Sequence, residues 1–132
     1  MKKIIPEIAV DNCAEVLQFY HGVFGGETKN VQKADGIPAF KGHEGKLIHA
    51  ELHINGECIL YLNDNFNGKA AGSSVTLMLE LDSTEELDGI FAALAEKGSV
   101  GFPPQKTFWG AYHAVVTDYT GITWGLNYTY GK

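Results

Sequence analysis

Cysteine is scarce in this chain. Its two cysteines, Cys13 and Cys58, have neither metal-ligand spacing nor the even, regular spread of a disulfide framework. Positive charge is also in short supply. Ten Lys+Arg against sixteen Asp+Glu leave a net charge of −6, which argues against a nucleic-acid partner whose phosphates call for a basic patch. No apolar run approaches the roughly 20 residues needed to cross a bilayer, and Lys2-Lys3 is too little for attachment to a membrane surface. The first residues carry no signal-peptide pattern, so a reducing cytoplasm is the expected location. A Ser-His-Asp signature, a phosphate-binding loop and a glycine-rich turn between a parallel strand and a helix are all missing, which leaves nucleophilic hydrolysis and nucleotide binding without support.

What is there centres on Leu47 to Asp64, LIHAELHINGECILYLND. Ile48, Ala50, Leu52 and Ile54 alternate with His49, Glu51 and His53, and a period of two places the sets on opposite faces of a strand. Asn55-Gly56 predicts a type I′ hairpin turn, in which both central residues have φ > 0. Cys58 to Leu62 is apolar throughout and reads as a strand buried on both faces.

The stretch recurs 64 residues later in Tyr112 to Leu126, where His113 falls on His49, Ala114 on Ala50, Val116 on Leu52, Trp124 on Leu60 and Leu126 on Leu62. A helix precedes each hairpin, and these match at an offset of 71, so Val16, Phe19, Tyr20 and Val23 fall on Leu87, Ile90, Phe91 and Leu94. The smaller hairpin offset is read as shorter material between helix and hairpin in the first copy. Asn12-Cys13-Ala14-Glu15 and Ser83-Thr84-Glu85-Glu86 are predicted capping boxes, and Gly25-Gly26 and Gly98 are predicted helix ends.

In order, the chain reads as a strand from Lys3 to Val10 entered through Pro6, and a helix from Asn12 to Phe24. A weak strand from Glu27 to Ala34 and a Gly-containing loop from Asp35 to Lys46, carrying His43 and Glu44, lead to the hairpin. Asn65 to Ser74 has linker composition. A strand from Val75 to Leu81, a helix from Ser83 to Lys97, an extended segment broken by Pro103-Pro104, and the second hairpin with an aromatic tail follow. The expected organisation is one domain of two modules, 1–65 and 75–132, joined by 66–74. At 132 residues it can bury roughly two thirds of its unfolded surface.

The sharpest candidate chemistry is His49-x-Glu51-x-His53. A carboxylate beside a histidine fixes its tautomer and raises its basicity, as a general base requires; otherwise the three are a solvated strand face. His49 and Glu51 are the candidate catalytic pair. Candidate ligand-binding residues are His53, Tyr61, Phe108, Trp109, Tyr112 and His113. Phe108 and Trp109 are read either as the wall of an apolar pocket or as caps on the core, and Tyr61 either as a hydrogen-bond donor or as a buried aromatic. Asp64 and Asp118 read as turn residues, and His21 as a surface residue.

A paired βαβββ pattern with Phe19-Tyr20 late in helix one resembles the vicinal oxygen chelate superfamily of glyoxalases, bleomycin resistance proteins and extradiol dioxygenases. Val23-Phe24-Gly25, His49-Ala50-Glu51-Leu52, Phe108-Trp109-Gly110, Val116-Thr117-Asp118 and Trp124-Gly125-Leu126 are similar to its PhnB-like branch. The resemblance implies an α+β fold in which each module curls its strands into part of an open mixed sheet, with helices outside and a small-molecule cleft inside. It also implies metal ligands at Ile5, near Thr76, near Tyr61 and at Gly125, positions that here lack the His/Glu/Gln set for Zn, Ni or Fe. The expectation is therefore a protein that binds a small organic molecule, with no metal or other cofactor, and forms a homodimer. A metal-dependent lyase, isomerase or dioxygenase and a pure sequestering protein are the alternatives. The methyltransferase name that some PhnB-like proteins carry finds no cofactor-binding domain here.

Overall fold

Pro6 has no amide to give a neighbouring strand, and the first strand, β1 (Glu7–Val10), begins directly after it. The computed structural model describes residues 1–68, 72 and 74–131. The chain divides into two compact units, Met1–Lys69 and Ala70–Lys132, each a strand, a helix and three further strands. The predicted linker 66–74 lies partly outside the described residues.

The first unit continues with α1 (Cys13–Phe24), β2 (Glu27–Lys33), a short 3-10 turn (Pro38–Phe40), β3 (Leu47–His53) and β4 (Ile59–Asp64). Its sheet runs β1-β4-β3-β2. β1 lies parallel to β4, and the other pairs are antiparallel. α1 covers one face, where Cys13, Val16, Leu17 and Tyr20 bury themselves against Ile8, Val10, Ala50, Leu52, Leu60 and Leu62. Each aliphatic side chain so buried is worth about 1.5–3 kcal/mol.

The second unit repeats the plan with β5 (Thr76–Glu80), α2 (Thr84–Ala95), β6 (Ser99–Lys106), β7 (Ala111–Thr117) and β8 (Thr123–Thr129), in the order β5-β8-β7-β6. The repeat holds pair by pair. Glu7 faces Tyr61 as Met78 faces Gly125, and Ala50 faces Leu62 as Ala114 faces Leu126. β6 is an edge strand whose register slips on either side of Phe102, the second slip spanning Pro103 and Pro104, as the missing amides require. Among the described residues no helix is long and apolar enough to cross a membrane.

Several expectations need correction. β4 alternates between buried and half-exposed residues, because only one of its faces meets α1, and Cys58 is exposed outside the strand. Asn55-Gly56 does not form a type I′ turn, since neither residue has positive φ. Asn55 Oδ1 instead accepts from the amides of Glu57 and Cys58 at 2.9 Å each, stabilising a longer loop. The difference in offset also has the opposite origin to that expected: the β2–β3 connection runs from 34 to 46, whereas the β6–β7 connection runs only from 107 to 110.

Asn12 does not cap α1. Its backbone is left-handed, and its side chain donates to Glu15 Oε2. The amide of Cys13 is taken by Asp64 Oδ1 at 3.0 Å, while Asp64 Oδ2 accepts from the amide of Leu47 at 2.6 Å. A buried carboxylate at the end of β4 thus ties the start of α1 to the start of β3. α2 does have its cap: Ser83 Oγ accepts from the amide of Glu86, whose own carboxylate reaches back to the amide of Asp82. α2 ends at Ala95, two residues short of the expected end, and Gly98 is not left-handed. It is needed because a Cβ there would strike the carbonyl of Thr117.

Candidate functional site

On the face of β3 away from α1, Glu51 is buried and lies between two histidines. Its Oε2 accepts from His49 Nε2 and its Oε1 from His53 Nε2, both at 2.7 Å, with the imidazoles 28% and 24% exposed. Side chains two apart on a strand project roughly 7 Å from one another, so the glutamate at the centre of the three reaches both neighbours. A carboxylate only accepts, so both Nε2 atoms carry hydrogen and each neutral ring keeps its lone pair on Nδ1.

The two histidine bonds, His49's first, hold the Glu51 carboxyl down at about 2 against the opposing effect of burial. Asn30 adds a further hydrogen bond. It reaches Glu51 from a bulge between Lys29 and Gln32, where its φ of 50° is left-handed. Tyr61 stands opposite Glu51 on β4, its ring edge-on to His49 at 4.8 Å. Asn63, next on the same face by alternation, has a buried Oδ1 without a hydrogen-bond partner among the described residues. A depression of about 270 Å³ opens beside His53, lined also by Gly26, Lys29 and Asn55. Four predicted residues, His49, Glu51, His53 and Tyr61, are therefore brought together in the first unit.

In the second unit His113 Nδ1 donates to Asn127 Oδ1 at 2.9 Å, and Asn127 Nδ2 donates to both Glu80 oxygens at 3.0 and 3.2 Å. Trp109 and Phe102 place their rings 5.6 and 6.1 Å from that of His113. Phe108 is almost fully exposed and packs edge-on against Trp109. Tyr112 parts company with these residues. Strand alternation turns it to the helix side, where its hydroxyl donates to Asp88 Oδ1 at 2.8 Å and is pushed above the usual phenol range, chiefly by that bond. Asn30, Asn127 and Glu80 escaped the sequence reading. A polar residue at a period-two position within an apolar strand was the available signal for the last two.

The two hairpin aspartates are structural. Asp118 Oδ1 accepts from Thr120 and from the amide of Ile122, while its Oδ2 takes the indole N–H of the buried Trp124 at 2.8 Å. In the loop carrying His43, both Phe40 and His43 pack their rings on Phe66.

The metal-ligand positions implied by the resemblance do not fit a metal. Ile5 offers no donor, Thr76 and Tyr61 offer only hydroxyls, and a Cβ on Gly125 would lie 2.6 Å from Met78 Cε, so a thioether side chain occupies the space of a ligand. Among the described residues no three His, Cys, Asp or Glu side chains converge as a metal cage.

A family model, Glyoxalase/Bleomycin resistance protein/Dioxygenase superfamily, matches residues 5–126. The Escherichia coli protein YjdN is 29% identical over 128 residues, covering 88% of this chain and 87% of that protein. The crystal structure of PA1353 from Pseudomonas aeruginosa superposes with a TM-score of 0.87 at 30% identity, covering 98% of each chain. The PhnB protein of Bacillus cereus, which carries a 3-demethylubiquinone-9 3-methyltransferase name, has the same fold, with a TM-score of 0.82 at 24% identity over 97% of this chain and all of that one. With its tandem βαβββ modules and a family match spanning nearly its whole length, this chain belongs to the Glyoxalase/Bleomycin resistance protein/Dioxygenase superfamily and has PhnB-like structural neighbours.

Proposed function

We propose that this protein binds a small organic molecule on the His49-Glu51-His53-Tyr61 face without a metal, as a cytoplasmic homodimer. The observation that carries this reading is the Glu51 carboxylate held between two Nε2–H donors. With both Nε2 atoms committed, the Nδ1 lone pairs are the groups left to meet a ligand, and a proton accepted there yields an imidazolium already paired with Glu51. Those Nδ1 lone pairs are acceptors, so the ligand carries an O–H or N–H group. If the protein turns a substrate over, His49 with Glu51 is the acid/base pair and Tyr61 the orienting group.

A thermal-shift screen of small organic acids, alcohols and amides tests this. Hits on the native protein should lose their stabilising effect in Glu51→Gln, and hits that stabilise the variant equally would refute the role of the clamp. Near-stoichiometric Zn, Ni or Fe in untagged protein, lost in His49→Ala, would instead establish a metal-dependent enzyme. A methyltransferase reading has no support in this chain. The turns joining β1 to α1 and β5 to α2 are Asp11-Asn12 and Leu81-Asp82-Ser83, neither containing glycine.

A further inference from the structure

The second unit contains a polar relay whose orientation is fixed throughout. Glu80 only accepts, so the Asn127 amide must present its NH₂ to that carboxylate and its oxygen to His113. An amide oxygen also only accepts, so His113 carries its hydrogen on Nδ1, and the neutral ring keeps the Nε2 lone pair. Asn127 is buried, which holds the relay rigid. The His113 ring is in contact with those of Phe102, tilted at 59°, and Trp109, edge-on at 72°. Trp109 sits in a tight turn closed by the bond from the Gly110 amide to the Thr107 carbonyl, and half of its surface is exposed.

From this geometry we infer a second binding site, on the second unit alone, for a flat molecule bearing a weakly acidic O–H, of the phenol class. The ring stacks on the exposed face of Trp109 and the hydroxyl donates to His113 Nε2. Glu80, acting through Asn127, polarises the imidazole toward stronger acceptance. Asn127 and Glu80 are positioning residues, since neither is placed to touch the ligand. This site does not depend on the His49-Glu51-His53 face, and either can fail without the other.

The probe is phenol, titrated into the full chain at about pH 8, where its hydroxyl keeps its proton and imidazoles are neutral, and followed by titration calorimetry and tryptophan fluorescence. Saturable binding is expected, weakened roughly tenfold or more in both His113→Phe and Trp109→Ala, the loss of one hydrogen bond or one stacking face. Because Trp109 is half exposed, its replacement leaves the fold intact even if His113→Phe does not. Asn127→Leu should weaken binding and also release His113 from its Nδ1–H tautomer, seen in ring-nitrogen NMR, whereas Trp109→Ala should leave the tautomer in place. Absence of saturable binding, wild-type affinity in either His113→Phe or Trp109→Ala, or an Nε2–H tautomer for His113 in the native protein would overturn the inference.

Discussion

His49 and His113 occupy equivalent positions in their modules, yet opposite ring nitrogens hold them. His49 gives Nε2–H to Glu51, and His113 gives Nδ1–H to Asn127. One difference accounts for this. The residue two places after His49 is Glu51, whereas the residue two places after His113 is Val115, so the second histidine has no carboxylate on its own strand and turns to the asparagine on β8. Asn63, the counterpart of Asn127, is correspondingly left with a buried oxygen that His49 does not reach.

Glu51 makes stability depend on pH in a defined window. Its carboxyl is lowered from about 4.5 to about 2, so its contribution is fully present above its unfolded value and is lost as the pH falls through its folded one. Glu51→Gln should destabilise by about 1–3 kcal/mol near neutral pH, the scale of hydrogen bonds to a charged group. The gap between the two proteins should narrow between pH 4.5 and 2 when urea unfolding is measured across that range.

Asp64, not Asn12, secures the start of α1. Asp64→Ala leaves the amides of Cys13 and Leu47 without their acceptor and should cost about 2–4 kcal/mol, with faster hydrogen exchange at both. Asn12→Gly, which removes an exposed contact to Glu15 while keeping the left-handed backbone without steric cost, should cost less than about 0.5 kcal/mol.

Three glycines separate backbone crowding from side-chain crowding. Gly98→Ala drives a methyl into the Thr117 carbonyl, and Gly26→Ala meets the carbonyl of His53 at a left-handed φ of 86°, so each should cost about 2 kcal/mol or more in thermal unfolding. Gly125→Ala crowds the end of the exposed Met78 side chain, which swings aside, and touches the Thr76 methyl only at 3.4 Å, so it should cost under about 1 kcal/mol.

The two thiols should react very differently. Cys13 is buried and its thiol is pushed up to about 12, chiefly by burial and secondarily by Asp64, whereas Cys58 is exposed. Mass spectrometry after iodoacetamide should find the native chain labelled at Cys58 alone, with Cys13 reacting only after unfolding.

Much of the fold was legible because the repeat supplies two independent readings of one pattern. The β3 alternation, matched in β7, placed both hairpins and put His49, Glu51 and His53 on one face. What escaped depends on contacts distant in sequence. Asp64 lies 51 residues from the helix it caps, so the local capping signal at Asn12 misled. Nothing local marks Asn127 as the link between Glu80 and His113, which only strand pairing brings together. Tyr112 is a candidate by its aromatic neighbours, but alternation along β7 sets it opposite His113, on the side of Asp88.

The most direct test of the clamped carboxylate is long-range proton–nitrogen NMR of the histidine rings above neutral pH, where neutral imidazoles reveal which nitrogen carries hydrogen. His49 and His53 should both appear as Nε2–H tautomers and revert to a mixture in Glu51→Gln. Nδ1–H tautomers at these two positions in the native protein, or spectra unchanged by the substitution, would contradict the account.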